Sequence, residues 1–478
     1  GGYALALLFS DLSQPSLLGA HRAFWWVHAV LAFFFIGYLG WGKPSHIFFS
    51  SLNTYLRNLG PSGVIPPIDF EDESIETFGK SKINEYSWKQ LLDLDACTRC
   101  GRCQDRCPAH LSGKPLSPKK VILDMRNHLT EWGAPLLAGK EPEEGTPLIG
   151  GAVQEEEFWS CLTCGGCHEA CPVFIEPVPK MLEMRRYLVM MESRMPEDTK
   201  LFLKCMDERF HPWKGTPLSR TEWYEGMEVK ELSKEPRAEM LLWVGCTGSL
   251  VERTVKVTQA VARLLKAAGV DFGVLGEEEV CCGDPARRVG SEYTYQIHVQ
   301  KLIETFKKYD IKRILTFCPH CYNTFKNEYP KFGASFEVFH HTEFLSSLLR
   351  EGRLRPSQPP GGGLLTYHDS CYLGRHNGIY EAPREIISYL PGVNYRDMEL
   401  SRWKGFCCGG GGGHALMEIP TGERINNMRV DQVLERGASR VALACPFCMV
   451  MFDDGIKNRE AEGKLSALDL AELLEKAL

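Results

Sequence analysis

Ten of the nineteen cysteines fall into one pattern used twice. The first copy runs Cys246, then Cys281-Cys282, then Cys318-Pro-His-Cys321; the second runs Cys371, then Cys407-Cys408, then Cys445-Pro-Phe-Cys448. The gaps nearly match, with 34 and 35 residues before the Cys-Cys pair and 35 and 36 after it. That recurrence makes the C-terminal half a tandem repeat that binds metal through sulfur.

Each copy reads as strand alternating with helix. A strand-like run ends at the first cysteine (Met240 to Gly245, Leu364 to Ser370), and helical periodicity follows (Arg253 to Ala268, Ala382 to Leu390). A second helix lies near Tyr293 to Tyr309 and near Arg424 to Arg436. A further strand, Arg313 to Phe317 or Arg440 to Ala444, delivers the CPxC, and a helix closes each copy at Thr342 to Leu349 and Ala467 to Leu478. The alternation predicts α/β domains with mainly parallel sheets. The stretch RLRPSQPPGGG, Arg353 to Gly363, separates them. A cubane needs four thiolates, and five are offered. Side chains of adjacent cysteines diverge, so a Cys-Cys pair suits different irons of a larger, opened cluster. Glycines beside the pairs, Gly283 and Gly409 to Gly413, would let backbone N–H groups approach its sulfides. An ordinary cubane with one spare cysteine, or zinc, fits four of the five.

Upstream, CTRCGRCQDRCP (97–108) and CLTCGGCHEACP (161–172) are each C-x2-C-x2-C-x3-C-P, the bacterial ferredoxin run. Cys97, Cys100 and Cys103 would wrap one [4Fe-4S] cubane, and Cys161, Cys164 and Cys167 another. Gly101 and Gly165-Gly166 admit a close backbone. The fourth cysteine of such a run reaches over to the other cluster, which assigns Cys171 to the first set and Cys107 to the second. Structural zinc uses two separated pairs rather than triplets. The 53 residues between Cys107 and Cys161 hold a helical stretch, Lys119 to Trp132, and a Gly/Pro/Glu-rich loop, Gly139 to Gly151. This resembles the helical two-cluster domain of succinate dehydrogenase-type iron–sulfur subunits, and two cubanes without a substrate pocket imply a wire. Residues 196–237, with Pro196, Pro212, Pro217 and Pro236, read as a linker, and Cys205 within it as a buried thiol.

Near the start, AFWWVHAVLAFFFIGYLGW (Ala23 to Trp41) has nineteen residues without a charge, enough to cross a ~30 Å hydrocarbon core. It is long for a signal peptide and lacks a small-residue cleavage site; a buried soluble helix is the other reading. His28 lies inside it and His46 follows 18 residues later. Five helical turns would put both on one face about 27 Å apart, the separation of ligands to two hemes across a bilayer. Pro44 weakens that geometry, since a proline ends or kinks a helix; the alternative reading has His46 as an interfacial residue and His28 hydrogen-bonded within a bundle. With the run KPSHIFF, the spacing resembles the last helix of the cytochrome b subunit of membrane nitrate reductases. That resemblance implies heme b shared with helices from elsewhere. The chain opens mid-run at GGYALALLF without an initiator methionine, so the expectation is a longer native chain or a partner cytochrome b subunit. Lys43 and Arg57 follow the helix and every cysteine lies beyond it, which places the soluble domains on the cytoplasmic side of the inner membrane.

A net charge of −6 and the lack of a basic stretch give no reason to expect a nucleic-acid partner. Cysteines clustered as CxxC in 478 residues point to thiolate ligands in a reducing compartment rather than disulfides. The glycine run lacks the setting of a dinucleotide fingerprint, and there is no P-loop, so neither flavin nor nucleotide hydrolysis is expected. His320, His340, His341, His376, His368 and His414 lie near the cysteine motifs; the last two are the better candidates for a role at the second site.

The five-cysteine spacing resembles the CCG domain of heterodisulfide reductase catalytic subunits, which holds a noncubane [4Fe-4S] cluster. Both copies are complete, so the resemblance implies two such clusters, with the catalytic role on Cys371, Cys407, Cys408, Cys445 and Cys448. The whole chain would then comprise a transmembrane helix of cytochrome b type (1–60), a mostly α-helical ferredoxin-like domain with two [4Fe-4S] cubanes (61–200), a linker (201–237) and CCG domains at 238–352 and 364–478. That order resembles the membrane-bound iron–sulfur oxidoreductases related to the D subunit of heterodisulfide reductase. HDSCYLGRHNGIYEAPREI and FCCGGGGGHALME look closest to the branch that links electron-transfer flavoprotein to menaquinone. It implies an oxidoreductase passing electrons between that flavoprotein, or another soluble redox protein, and heme b and menaquinone. The alternative is a quinol-linked disulfide reductase acting at a noncubane cluster. Iron–sulfur subunits of glycolate or glycerol-3-phosphate dehydrogenases, a third reading, lack a heme-type helix.

Overall fold

The computed structural model describes residues 9–42, 44–140 and 147–478. Residues 1–8 of the opening run, Lys43 and residues 141–146 of the 139–151 loop therefore lie outside the described residues. Helix α1 (Gln14–Trp41) carries the apolar run, and its side chains stand free: Phe33 is 75% exposed and Trp26 64%. It stops at Gly42, and a separate helix, α2 (Ser45–Tyr55), starts after Pro44. His28 and His46 thus sit on different helices, and the five-turn count that put them on one face does not hold. Proline at 44 has no N–H to continue the helical ladder and crowds the preceding turn.

Helix α2 packs on α3 (Trp88–Ala96). Asn53 of α2 donates to the Val173 carbonyl at 2.8 Å and accepts from Lys89 at 2.8 Å. Helices α4 (Pro118–Leu137) and α5 (Pro177–Met190) complete the ferredoxin-like region. The expected linker is folded. Its first part is helix α6 (Glu197–Arg209), which buries Phe202, Leu203 and Met206, and its last part adds an edge strand to the next sheet. Prolines at 212, 217 and 236 break the helix without freeing the chain. Cys205 lies on α6 and is half-buried rather than buried.

Two all-parallel sheets follow. The first holds β1 (Lys230–Glu231), β2 (Met240–Trp243), β3 (Phe272–Val274), β4 (Arg313–Thr316) and β5 (Glu337–His340) in the order β1-β3-β2-β4-β5. The second holds β6 (Leu364–Tyr367), β7 (Asn394–Tyr395), β8 (Arg440–Leu443) and β9 (Ser466–Asp469) in the order β7-β6-β8-β9. The connecting helices are α7 (Glu252–Ala267), α8 (Glu292–Lys308) and α9 (His341–Arg350) in the first copy. In the second they are α10 (Glu381–Tyr389), α11 (Ile425–Glu435), α12 (Pro446–Asn458) and α13 (Leu470–Ala477). Central strands such as MLLW and RVAL are buried throughout, as strands covered on both faces must be. The last stretch, expected to be all helix, divides into β9 and α13.

Three devices hold the parts together. Arg253 of α7 forms a bidentate pair with Glu472 of α13 at 2.9 and 2.7 Å. A buried charge network of Arg186, Arg287, Arg288, Asp284, Glu292 and Glu328 joins α5 to the first copy. The glycine run of the second copy lies on the ferredoxin-like loop: a Cβ on Gly411 or Gly412 would stand 2.3 Å from the carbonyl oxygen of Leu162 or Cys161.

Candidate metal centres

Both ferredoxin runs wind the same way. The second and fourth residues after the first cysteine are left-handed in each: Arg99 (φ 58°) and Gly101 (86°), Thr163 (51°) and Gly165 (72°). For Arg99 and Thr163 that conformation costs of order 1 kcal/mol, held by the surrounding structure. It turns amides inward, and the Thr163 N–H meets the Cys161 sulfur at 3.4 Å. Cys97, Cys100, Cys103 and Cys171 line one small cavity together with Arg99, Arg102 and Lys119, and Cys167 reaches its wall. Cys107 stands instead beside Cys164 and Cys161, and Cys167 faces Cys161, Cys107 and Cys164. Cys171 thus stands with the Cys97 group and Cys107 with the Cys161 group.

The five-sulfur sites sit where the topology favours a ligand. Strand order reverses between β2 and β4, and between β6 and β8, opening a crevice at their carboxyl ends. Cys246 and Cys318 follow β2 and β4; Cys371 and Cys445 follow β6 and β8. Cys318 and Cys445 are also the N-caps of helices that begin at Pro319 and Pro446. The two sulfurs of each Cys-Cys pair touch each other and lean toward different partners. Cys281 reaches Cys246 at 3.8 Å while Cys282 reaches Cys321 at 3.5 Å. Likewise Cys407 faces Cys371, and Cys408 lies 3.3 Å from Cys448. Five sulfurs therefore arrive at each site as one chain of contacts, one sulfur more than a cubane needs.

The donor sets fit iron–sulfur clusters. Burial, with Cys97 and Cys171 nearby, pushes the Cys103 thiol up to about 12. Burial takes Cys161 to about 11 although Arg185 pulls the other way. Thiols this reluctant to ionise need a bound cation to draw off the proton. A second observation is His368. Arg429 Nε donates to its Nδ1 at 3.1 Å, so its proton is on Nε2, which is buried without an oxygen or nitrogen partner. The ligating atoms of His368, Cys408 and Cys448 lie within 4.8 Å of one another, so that N–H points at sulfur. In the first copy the residue three before the first cysteine is Trp243, and its buried indole N–H is likewise without a partner.

The sites touch. Cys164 of the second ferredoxin set and Cys407 are in hydrogen-bonding contact. His320 stands between Cys318 and Cys445, stacks on Tyr372 at 3.9 Å and meets Phe447 edge-on at 5.1 Å. Burial opposes its charge, but Asp284 at 2.8 Å outweighs that and lifts it to about 9. Tyr372 in turn stacks on His376 at 4.2 Å, and its hydroxyl meets Thr163 at 2.9 Å. Among the other histidines, His414 donates to the Trp159 carbonyl (2.9 Å), and His341 pairs with Asp469 (3.0 Å). His340 caps α9 through Thr342. Sequence reasoning missed Arg185, Arg375, Arg429 and Tyr372. The signal was available in the repeat itself, since aligning the first cysteines sets Arg375 opposite Leu250 and Tyr372 opposite Thr247.

Comparison with known proteins agrees with this layout. The cysteine-rich CCG domain matches residues 240–326 and 365–453, and the 4Fe-4S dicluster domain matches 89–172. The EtfAB:quinone oxidoreductase of Syntrophomonas wolfei is 41% identical over 100% of this chain and 71% of its own length. The probable iron–sulfur-binding oxidoreductase FadF of Bacillus subtilis is 40% identical over 99% of this chain and 72% of its own. The D subunit of the dihydromethanophenazine:CoB–CoM heterodisulfide reductase of Methanosarcina barkeri is 31% identical over 81% of this chain and 95% of its own.

Proposed function

The chain belongs to the CCG-domain iron–sulfur oxidoreductases related to the D subunit of heterodisulfide reductase, and from that premise we propose that it carries electrons between electron-transfer flavoprotein on the cytoplasmic face and menaquinone in the membrane. The name of the Syntrophomonas relative supports the flavoprotein and a quinone as the two ends.

The observation that carries the reading is the order of the sulfur sites in space. Cys97 follows α3, which packs on α2 at the foot of the apolar helix. Val173 and Phe174, just past Cys171, are tied to α2 and its C-terminal extension by Asn53 and by Arg57, whose guanidinium sits 4.7 Å from the Phe174 ring. The first cubane set therefore abuts the membrane end. The crossing cysteines join it to the second set, Cys164 and Cys407 join that to the second CCG site, and His320 joins the second CCG site to the first. Bound clusters supply one-electron steps; the chain supplies burial and short spacing. Beside the first CCG site lies a cavity of about 510 Å³ lined by both signs of charge, Arg209, Arg220 and Lys301 against Glu277, Glu278 and Glu279, a surface for the soluble partner.

The cofactors of this proposal are two cubanes on Cys97, Cys100, Cys103, Cys171 and on Cys161, Cys164, Cys167, Cys107, and two noncubane clusters on the five-cysteine sets. Heme b at His28 and His46 needs axial partners from another helix or from a cytochrome b subunit, because one helix among the described residues has membrane length. The working domains are 1–60, 61–200, 238–352 and 364–478, with 201–237 assigned to the first CCG domain through β1. A disulfide reductase is the second reading, favoured by two complete five-sulfur sites meeting across His320 and Phe447.

The test is anaerobic. Reduced electron-transfer flavoprotein and a menaquinone analogue should give quinone reduction through the purified holoprotein. Turnover of a disulfide without quinone reduction would overturn the choice. Four clusters predict about 16 iron per chain; about eight with bound zinc would sink the noncubane assignment.

A further inference from the structure

The two CCG sites share ten cysteines and differ in what surrounds them. At the second site Arg375 follows Cys371 by four residues. Its Nε donates to the Cys164 carbonyl at 2.7 Å and its Nη1 to the Gly405 carbonyl at 2.6 Å. The sulfurs of Cys164, Cys371 and Cys407 lie around it. It forms no ion pair among the described residues. Arg429, fully buried on α11, adds a second charge facing Cys407 and Cys408, and it too is held by His368, Gln432 and the Leu400 carbonyl rather than by a direct carboxylate contact.

The first site has no such pair. Leu250 stands four residues after Cys246, and Leu302 stands where counting back from the helix end puts Arg429. Each of its cations has a carboxylate partner. Arg220 pairs with Glu279, Arg288 with Asp284 and Glu328, and His320 with Asp284. An unpaired positive charge near a cluster stabilises the reduced, more negative state and raises its reduction potential; burial strengthens the effect.

We propose that Arg375 is a positioning residue that clamps the second cubane to the second CCG site and raises the reduction potential of both, leaving the first CCG site as the lower-potential terminus. This rests on the electron-transfer reading and deepens it. Electrons would then run downhill from the first CCG site to the second and to the cubane beside it, the direction that leads toward a quinone.

The experiment needs neither partner nor quinone. Cluster signals of the purified holoprotein are followed by electron paramagnetic resonance through a redox titration and assigned with Cys246→Ser and Cys371→Ser. Arg375→Gln should lower the midpoints of the second cubane and the second CCG site, while the first cubane and first CCG site stay put. Arg375→Lys should restore much of the shift. Arg313→Gln removes a part-exposed arginine paired with Glu239 and Glu337 at the end of β4 away from the sulfurs, and should move none of the four. Unmoved midpoints at full iron content, or a shift shared equally by all four, overturn the proposal. Should Arg375→Gln lose iron, the wild-type order decides: a first CCG site titrating above the second refutes it. Failure of flavoprotein-to-quinone transfer with these shifts intact would strike the proposed function and not the clamp.

Discussion

Replacing Arg185 with methionine should uncouple the three soluble parts of the molecule. Its side chain is fully buried on α5 and donates to five carbonyls. Nε and Nη2 bond Phe158, Trp159 and Cys161 of the ferredoxin-like loop at 2.6 to 3.0 Å; Nη1 bonds Arg288 of the first CCG domain at 2.8 Å and Gly412 of the second at 3.0 Å. Burial lowers its pKa to about 10, so it remains charged at neutral pH. A hydrogen bond to a charged group contributes about 1.5–3 kcal/mol net, and bonds sharing one donor group do not add. Methionine fills similar volume but leaves the Cys161, Arg288 and Gly412 carbonyls without a donor, while Phe158 keeps the Cys161 N–H and Trp159 keeps His414, so a loss of about 3–5 kcal/mol is expected. That should lower the first thermal midpoint by about 5–10 °C. Lysine keeps the charge with three donors, satisfies at most three carbonyls and should lose about half as much. The assay is an anaerobic thermal scan reading circular dichroism and visible cluster absorbance together. Wild type should lose secondary structure and the second cubane in one transition; Arg185→Met should lose the cubane first. A variant within about 1 °C of wild type, with coincident signals, would refute the idea that these bonds couple the domains.

Gly412→Ala meets both a left-handed backbone (φ 64°) and a Cβ 2.3 Å from the Cys161 carbonyl, neither of which can give cheaply. It should cost about 2–4 kcal/mol and reduce iron per chain, while Gly362→Ala, with nothing within 4 Å, should do neither. Burial, with Arg185 next to it, lowers His414 to about 3. A depressed histidine leaves the folded state short of a proton, so its stability is complete above about pH 6.5 and falls as pH drops toward 3. At pH 5.5 the loss is about 1.4 kcal/mol, read as a midpoint difference between pH 7.5 and 5.5 that His414→Gln should shrink. Cys205→Ser should leave iron content unchanged and stability within about 0.5 kcal/mol, because that half-buried thiol meets no sulfur set; iron loss would put Cys205 among the ligands.

Spacing made the metal sites legible because sulfur chemistry is local: three thiols of a C-x2-C-x2-C run converge whatever surrounds them. The five-cysteine sets were legible because strand and helix patterns announced themselves between the cysteines. What sequence left open was set by contacts between distant segments. Residues 201–237 looked like a linker because prolines mark helix ends, yet β1 pairs with β3 through backbone bonds that carry no side-chain signature. His28 and His46 matched a helical count, but one proline divided the helix and the count assumed continuity. The closing strand β9 was read as helix because SALD is too short for a period to show.

The glycine run shows how a local feature takes its meaning from a distant neighbour. Beside Cys408 it reads as room for cluster sulfides, and the Gly409 N–H does meet the Cys407 sulfur at 3.4 Å. The first copy has one glycine at the same place, then Asp284-Pro285 opening a helix. Its sulfurs are delivered just as well, so ligation alone does not require five glycines. Gly411 and Gly412 instead lie where the Cys161–Leu162 backbone presses on the second copy, and side chains there would push the two domains apart. The same contact brings Cys164 to Cys407 and Arg375 to the Cys164 carbonyl. Among the described residues, only the second copy touches the ferredoxin-like loop in this way, and it carries the glycine run and the arginine without an ion pair. The glycines set how close the two sulfur sites come, and the arginine sets the charge they share.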